Sequence, residues 1–208
     1  HGKGTMKLYY TPGACSLADH IALEWSGLPF EAVRVSREQR KSPEYLAINP
    51  AGAVPALQEG DWVLTQNAAI LHYIADRAPQ AALDGDGTPR SRAEVNRWLA
   101  ILNSDVHPAF KPLFGAAAYL GDAGTIDKAK AEARRQLRTL FECLDKGLVG
   151  RQWLAGVRSI ADPYLFVVTR WAKSSAAGID LRGLDNLERH FRHMQHDAGV
   201  QRALAAES

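Results

Sequence analysis

Lys7 to Tyr10 is a short β-prone run closed by the turn signal Thr11-Pro12-Gly13, after which the period changes: Ala18, Ile21, Ala22 and Trp25 recur at helical spacing before Gly27. Phe30 to Val35 reads as a second strand, and the intervening helix requires it to run parallel to the first. Glu44-Tyr45-Leu46 reads as a short helix and Asn49-Pro50-Ala51-Gly52 as a turn. Ala56 to Gln58 and Trp62 to Leu64 flank Glu59-Gly60-Asp61, a spacing that predicts a hairpin, and Asn67 opens a helix with Ile70, Leu71 and Ile74 on one side. The order of elements is βαβαββα.

From Ala78 to Thr88 the chain is rich in Pro, Gly, Asp and Ala and has no period, the pattern of an interdomain connection. Beyond it the apolar positions are helical. Val95, Trp98, Leu99, Leu102 and Val106 follow one stripe and Leu137, Leu140, Phe141 and Leu144 another. Ser159 and Asp162 have the spacing of a capping pair ahead of the apolar face Tyr164, Leu165, Val168 and Trp171, so their expected role is structural. The fold class expected is α/β plus all-α: a thioredoxin-like βαβαββα domain over residues 6–82, a connection over 83–88 and a helical bundle over 89–205. Residues 1–5 are expected to precede the natural start at Met6 and are set aside.

Composition changes this picture little. With 46% hydrophobic and 23% charged residues and a net charge of +2, the 208-residue chain has no basic block for nucleic acid or an anionic membrane. No apolar run approaches the ~20 residues of a membrane helix, and no signal core is visible, so a cytoplasmic protein is expected. The two cysteines, Cys15 and Cys143, lie far apart without metal spacing, which predicts free thiols and no metal site. His190, His193 and His196 drift around a helix and are expected on a solvated face.

Cys15 follows a turn and opens a helix, where unpaired N–H groups and the helix dipole favour a thiolate; as a small buried hydrophobe it would be inert. Cys15-Ser16-Leu17-Ala18 lacks the second cysteine of a dithiol oxidoreductase, so an external thiol must resolve any disulfide. Gln66 and Asn67 stand at a helix start, a place for a carboxylate or for ordinary capping.

Met6-Lys7-Leu8-Tyr9-Tyr10-Thr11-Pro12-Gly13-Ala14-Cys15-Ser16, with Leu46-Ala47-Ile48-Asn49-Pro50, Val54-Pro55 and Leu64-Thr65-Gln66-Asn67-Ala68-Ala69-Ile70, resembles the bacterial beta class of glutathione transferases over Met6 to about Ala205. Ser104-Asp105-Val106-His107 and Ile160-Ala161-Asp162-Pro163-Tyr164-Leu165-Phe166 resemble the same family's first long bundle helix and capping motif. The resemblance implies a detoxifying enzyme that uses glutathione as cosubstrate, needs no metal and forms a symmetric homodimer. It implies Cys15 and His107 as the chemical residues, and Tyr10, Ala14, Cys15, Ser16, Gly52, Val54, Pro55, Gln66, Asn67 and Ser104 around glutathione. Pro55 is expected to follow a cis bond that offers the Val54 main chain to the peptide. Phe110, Phe114 and Trp171, with Tyr119, are candidates for an apolar cosubstrate pocket. Asn67, Ala100 and Pro108 depart from the family pattern; whether they weaken glutathione binding is, like the electrophile, not legible in the sequence. A glutathione-dependent disulfide reductase or peroxidase and a weakly catalytic ligand-binding protein are the alternative functions; the electrophile is not legible in the sequence.

Overall fold

A computed structural model of the chain describes residues 4–208; residues 1–3 of the leading segment lie outside the described residues. The N-terminal half runs β1 (Met6–Tyr10), α1 (Ser16–Ser26), β2 (Phe30–Arg34), α2 (Pro43–Ile48), β3 (Ala56–Glu59), β4 (Trp62–Thr65) and α3 (Asn67–Arg77). The strands pair in the order β2-β1-β3-β4. β1 runs parallel to β2, with Met6 opposite Phe30 and Tyr10 opposite Arg34, and antiparallel to β3, with Leu8 opposite Leu57. Local chemistry fixes the ends of these elements. Gly27 terminates α1 at φ +73°, a left-handed cap open to glycine at no steric cost, while Ser42 accepts from the Tyr45 N–H at 3.2 Å and Pro43 opens α2.

The C-terminal half is helical: α4 (Pro89–Ile101), α5 (His107–Ala109), α6 (Ala123–Gly147), α7 (Ala161–Lys173), α8 (Asp185–Gln195) and α9 (Ala198–Glu207). α4 passes into α5 through a π-helical turn over Leu102–Val106, which the single apolar stripe read from the sequence does not reveal. α7 is buried on almost every side. Its start is held as the capping pair implies: Asp162 accepts from the N–H groups of Ser159 and Leu154, both at 3.0 Å, and the Ser159 hydroxyl accepts from Ala161 N at 3.2 Å.

His190 does not belong to a solvated face. It is 1% exposed and bonds Asp162 through Nε2 at 2.9 Å, because α8 turns its apolar face, and this histidine with it, onto α7. His193 stacks edge-on against Trp153, with centroids 5.0 Å apart, and His196 is exposed.

One continuous core unites the two halves. Leu8, Leu17, Ile21 and Ile70 from the sheet side join Leu99, Val106, Phe141, Leu165 and Val168 from the bundle. The connection contributes too: Leu83 is buried in this core and its carbonyl accepts from Ile160 N at 2.9 Å. α9 then returns across α1, with Trp25 Nε1 donating to Asp197 at 2.8 Å and the buried pair His20–Glu207 at 2.7 Å. Among the described residues no helix is long and apolar enough to cross a membrane.

Candidate active site

Where β1 ends, the chain must turn over the sheet edge before α1 can begin. Gly13 supplies φ +79° for that turn, and Cys15 follows as the residue preceding α1. The Ser16 hydroxyl ties the turn closed, accepting from Thr11 N at 3.3 Å and donating to Thr11 O at 3.4 Å. Across from Cys15, the Val54–Pro55 bond is cis, and the Cys15 thiol donates to Val54 O at 3.6 Å.

These groups form the floor of a cavity of about 710 Å³ between sheet and bundle. Thr11 to Cys15, Ala53 and Val54 come from the N-terminal half; His107, Phe114, Trp171 and Ser174 come from the C-terminal half. The halves are tied at this point by Trp171 Nε1, which donates to Gly13 O at 2.8 Å. His107 lies 4.8 Å from Trp171, ring centre to ring centre, and shares a 2.6 Å hydrogen bond with the Tyr164 hydroxyl through Nδ1. Arg37, Arg40 and Arg170 also line the cavity and place three cations around it.

The acid–base character of the site follows from its burial. The Cys15 thiol is pushed up to about 12, first by desolvation and then by the Asp19 carboxyl, while its own backbone and Arg40 act the other way less strongly. This corrects the expectation of a thiolate: without a ligand, loss of water outweighs the helix terminus, and the sulfur is a thiol. His107 is lowered, by burial first and Lys111 second, so its imidazole is uncharged at neutral pH. Tyr164 is raised, by burial first and then by Cys15, and keeps its proton.

Ala14, Cys15, Val54, His107, Phe114 and Trp171 therefore meet in one cavity, and other sequence candidates do not line it. Tyr10 shares the β1 face of Met6 and Leu8, beneath α9, and its hydroxyl donates to Ala206 O at 3.3 Å. Ser16 is fully buried in the turn contacts above. Phe110 is 0% exposed and stacks behind Phe114 at 5.5 Å, so it supports the wall without lining it. Tyr119 is 85% exposed and lies apart from the cavity. Gly52, at φ +63°, passes beneath Arg40, whose carbonyl would stand 3.1 Å from an added Cβ. Pro55 is buried behind Val54. Ser104 is exposed outside the cavity, its hydroxyl donating to Ala100 O at 2.7 Å. Gln66 is exposed at φ +77°, and the Asn67 side chain turns inward to Asp19.

Sequence reasoning passed over Arg37, Arg40, Arg170, Asp19 and the Tyr164 hydroxyl. For the arginines the only local signal is positive charge in the loops after β2 and at the end of α7, which spacing alone does not distinguish from a solvated surface. Among the described residues no group of three His, Cys, Asp or Glu could hold a metal.

Comparison with known proteins places the chain in a family. Residues 4–76 match the model of the glutathione S-transferase N-terminal domain. Glutathione S-transferase GST-4.5 of Xanthomonas campestris is 58% identical over 203 residues, 97% of this chain and 98% of that protein. The solved glutathione S-transferase of Xylella fastidiosa superposes with a TM-score of 0.94 at 55% identity, covering 97% of this chain and 98% of its own. A sphingomonad glutathione S-transferase, solved in complex with glutathione, superposes with a TM-score of 0.84 at 39% identity, again over 97% and 98%. With a family relative this similar along nearly its whole length, the chain belongs to the glutathione S-transferase family, whose bacterial beta class its opening motif resembles.

Proposed function

We propose that this chain is a glutathione transferase that joins the sulfur of glutathione to an apolar electrophile. The observation that carries the reading is the cavity in which Cys15, the Val54 backbone and three arginines meet His107, Phe114 and Trp171. The arginines complement the peptide's carboxylates, and Val54 offers main-chain groups for strand-like pairing. The first N–H groups of α3, beside Gln66 and Asn67, suit a further carboxylate. Phe114 and Trp171 form the apolar wall against which the electrophile rests.

In this arrangement Cys15 acts first as a hydrogen-bond donor. A thiol held protonated at neutral pH stabilises the glutathione thiolate by donating to it, and that thiolate attacks the electrophilic carbon as the leaving group departs. His107, uncharged and fixed through Nδ1 by Tyr164, stands across the cavity to orient or accept a proton. Thiol exchange through a Cys15–glutathione disulfide is the second reading, favoured by the sulfur's place in the cavity lining, and requires the acidity of Cys15 to fall once a ligand is bound.

The same reading includes a symmetric homodimer and detoxification in the cytoplasm. The test is calorimetric titration of glutathione into the reduced protein and into Cys15→Ala, with turnover of a chloronitrobenzene electrophile. Saturable binding to both proteins, with turnover reduced in the variant, is expected; no binding at millimolar glutathione overturns the reading. Sedimentation at micromolar concentration tests the dimer.

A further inference from the structure

Asp19 is a fully buried carboxyl in the first turn of α1, one helical turn after Cys15 and on the same helix face. Its partner is Asn67. With the amide nitrogen facing the carboxyl, Asn67 Nδ2 donates to both Asp19 oxygens, at 2.6 and 2.9 Å. Asn67 is the first residue of α3 and is itself buried, at 6% exposure.

The residue before it, Gln66, has φ +77° and ψ +120°, a conformation that a non-glycine residue keeps only where its surroundings hold it. No side chain caps α3 at Gln66, so the usual device for fixing a helix start is missing. The Asn67 amide, one position past that cap, turns inward to Asp19 instead. A buried hydrogen-bonded contact therefore joins the start of α1, which follows Cys15, to the start of α3, which follows Gln66.

We propose that Asp19 is a positioning residue: through Asn67 it clamps the start of α3 to the start of α1 and sets the spacing between the γ-glutamyl and thiol ends of the glutathione site. The inference rests on the glutathione reading above. It also gives Asn67 a role that its departure from the family pattern concealed, since its amide reaches a carboxyl inside the fold. Both Asp19 oxygens accept from Asn67, so an amide at position 19, which retains one acceptor, preserves most of the clamp, whereas alanine removes it.

Three measurements on Asp19→Ala and Asp19→Asn test this: glutathione affinity and KM, kcat at saturating glutathione, and hydrogen exchange of the amides at 70–73, the first in α3 with a helical acceptor. Asp19→Ala should weaken glutathione binding and raise its KM about tenfold, the loss expected for an unmet buried partner, while kcat changes less than about threefold. Exchange at 70–73 should quicken about tenfold in Asp19→Ala, and Asp19→Asn should restore both quantities to within about threefold of the parent. If Asp19→Ala does not accumulate folded, Asn67→Ala removes the other partner and carries the same expectations. Unchanged KM and exchange in the alanine variants overturn the clamp, as does an Asp19→Asn variant no better than Asp19→Ala. A parent protein that binds no glutathione defeats the functional reading instead, and the exchange comparison then decides the clamp alone.

Discussion

Cys15 should be the slow thiol of this protein. Its acidity is displaced from an ordinary 9.0 to about 12 by burial and by Asp19, which at neutral pH lowers the thiolate fraction by about three decades. The thiolate that does form is the stronger nucleophile, by about 0.4 to 0.5 decade for each unit of acidity lost, which recovers between one and two decades. The net expectation is alkylation of Cys15 by iodoacetamide about 30- to 60-fold slower in the folded, ligand-free chain than in the same chain unfolded in guanidinium. Peptide-resolved mass spectrometry gives both rates, with exposed Cys143 reporting reagent activity in each sample. Between pH 7 and 11 the Cys15 rate should climb about tenfold per unit and continue rising past 9. The same displacement has a stability counterpart: the folded state holds this proton more tightly, so the thiol's contribution is intact below about 9 and is lost as pH rises toward 12. Folded Cys15 that labels as fast as unfolded Cys15, or a rate that levels below pH 8, would refute the donor role assigned to it.

Asp162→Ala should cost about 3–5 kcal/mol in urea unfolding, because it leaves His190 and the Ser159 and Leu154 N–H groups buried without their acceptor. Trp171→Phe removes the bond to Gly13 O and should lower stability by about 1 kcal/mol while raising KM for an apolar electrophile, as thermal melts and kinetics would show. Tyr164→Phe frees Nδ1 of His107 and should reduce kcat by about tenfold with glutathione affinity retained. Because His107 is lowered from 6.5, its contribution to stability is present above that value and lost as pH falls below it, so a His107→Asn variant should have a flatter stability profile between pH 7 and 5.

The elements were legible because their signals are local. The β-prone runs, the helical stripes, the turn at Thr11-Pro12-Gly13 and the Ser159/Asp162 spacing each lie within a few residues, and each predicts the element found there. The site was legible only where a motif is contiguous, as around Cys15 and Val54-Pro55. Tyr10 failed because neighbouring strand residues face opposite ways, and the face it occupies depends on α9, nearly two hundred residues later. His190 was placed on the wrong face and Asp19 passed over for a related reason: each is a polar residue whose burial is compensated by a partner on another helix, Asp162 and Asn67 respectively, and spacing within one helix carries no trace of such a partner. The thiolate expectation counted the helix terminus and omitted desolvation, whose size depends on the bundle closing over the loop.

The π turn at Leu102–Val106 makes the direction of His107 a matter of phase. In a regular helix each residue advances about 100° around the axis, so one inserted or deleted residue rotates everything downstream by that angle. A π turn accommodates one residue beyond the regular count without lengthening the path correspondingly, letting α4 keep Val95, Trp98 and Leu99 in the core while α5 begins at a shifted angle. Deleting a residue in this turn would leave the upstream stripe in place and swing His107 away from Trp171 by roughly a quarter turn. The turn thus works as a one-residue vernier between a helix that belongs to the core and a histidine that belongs to the cavity.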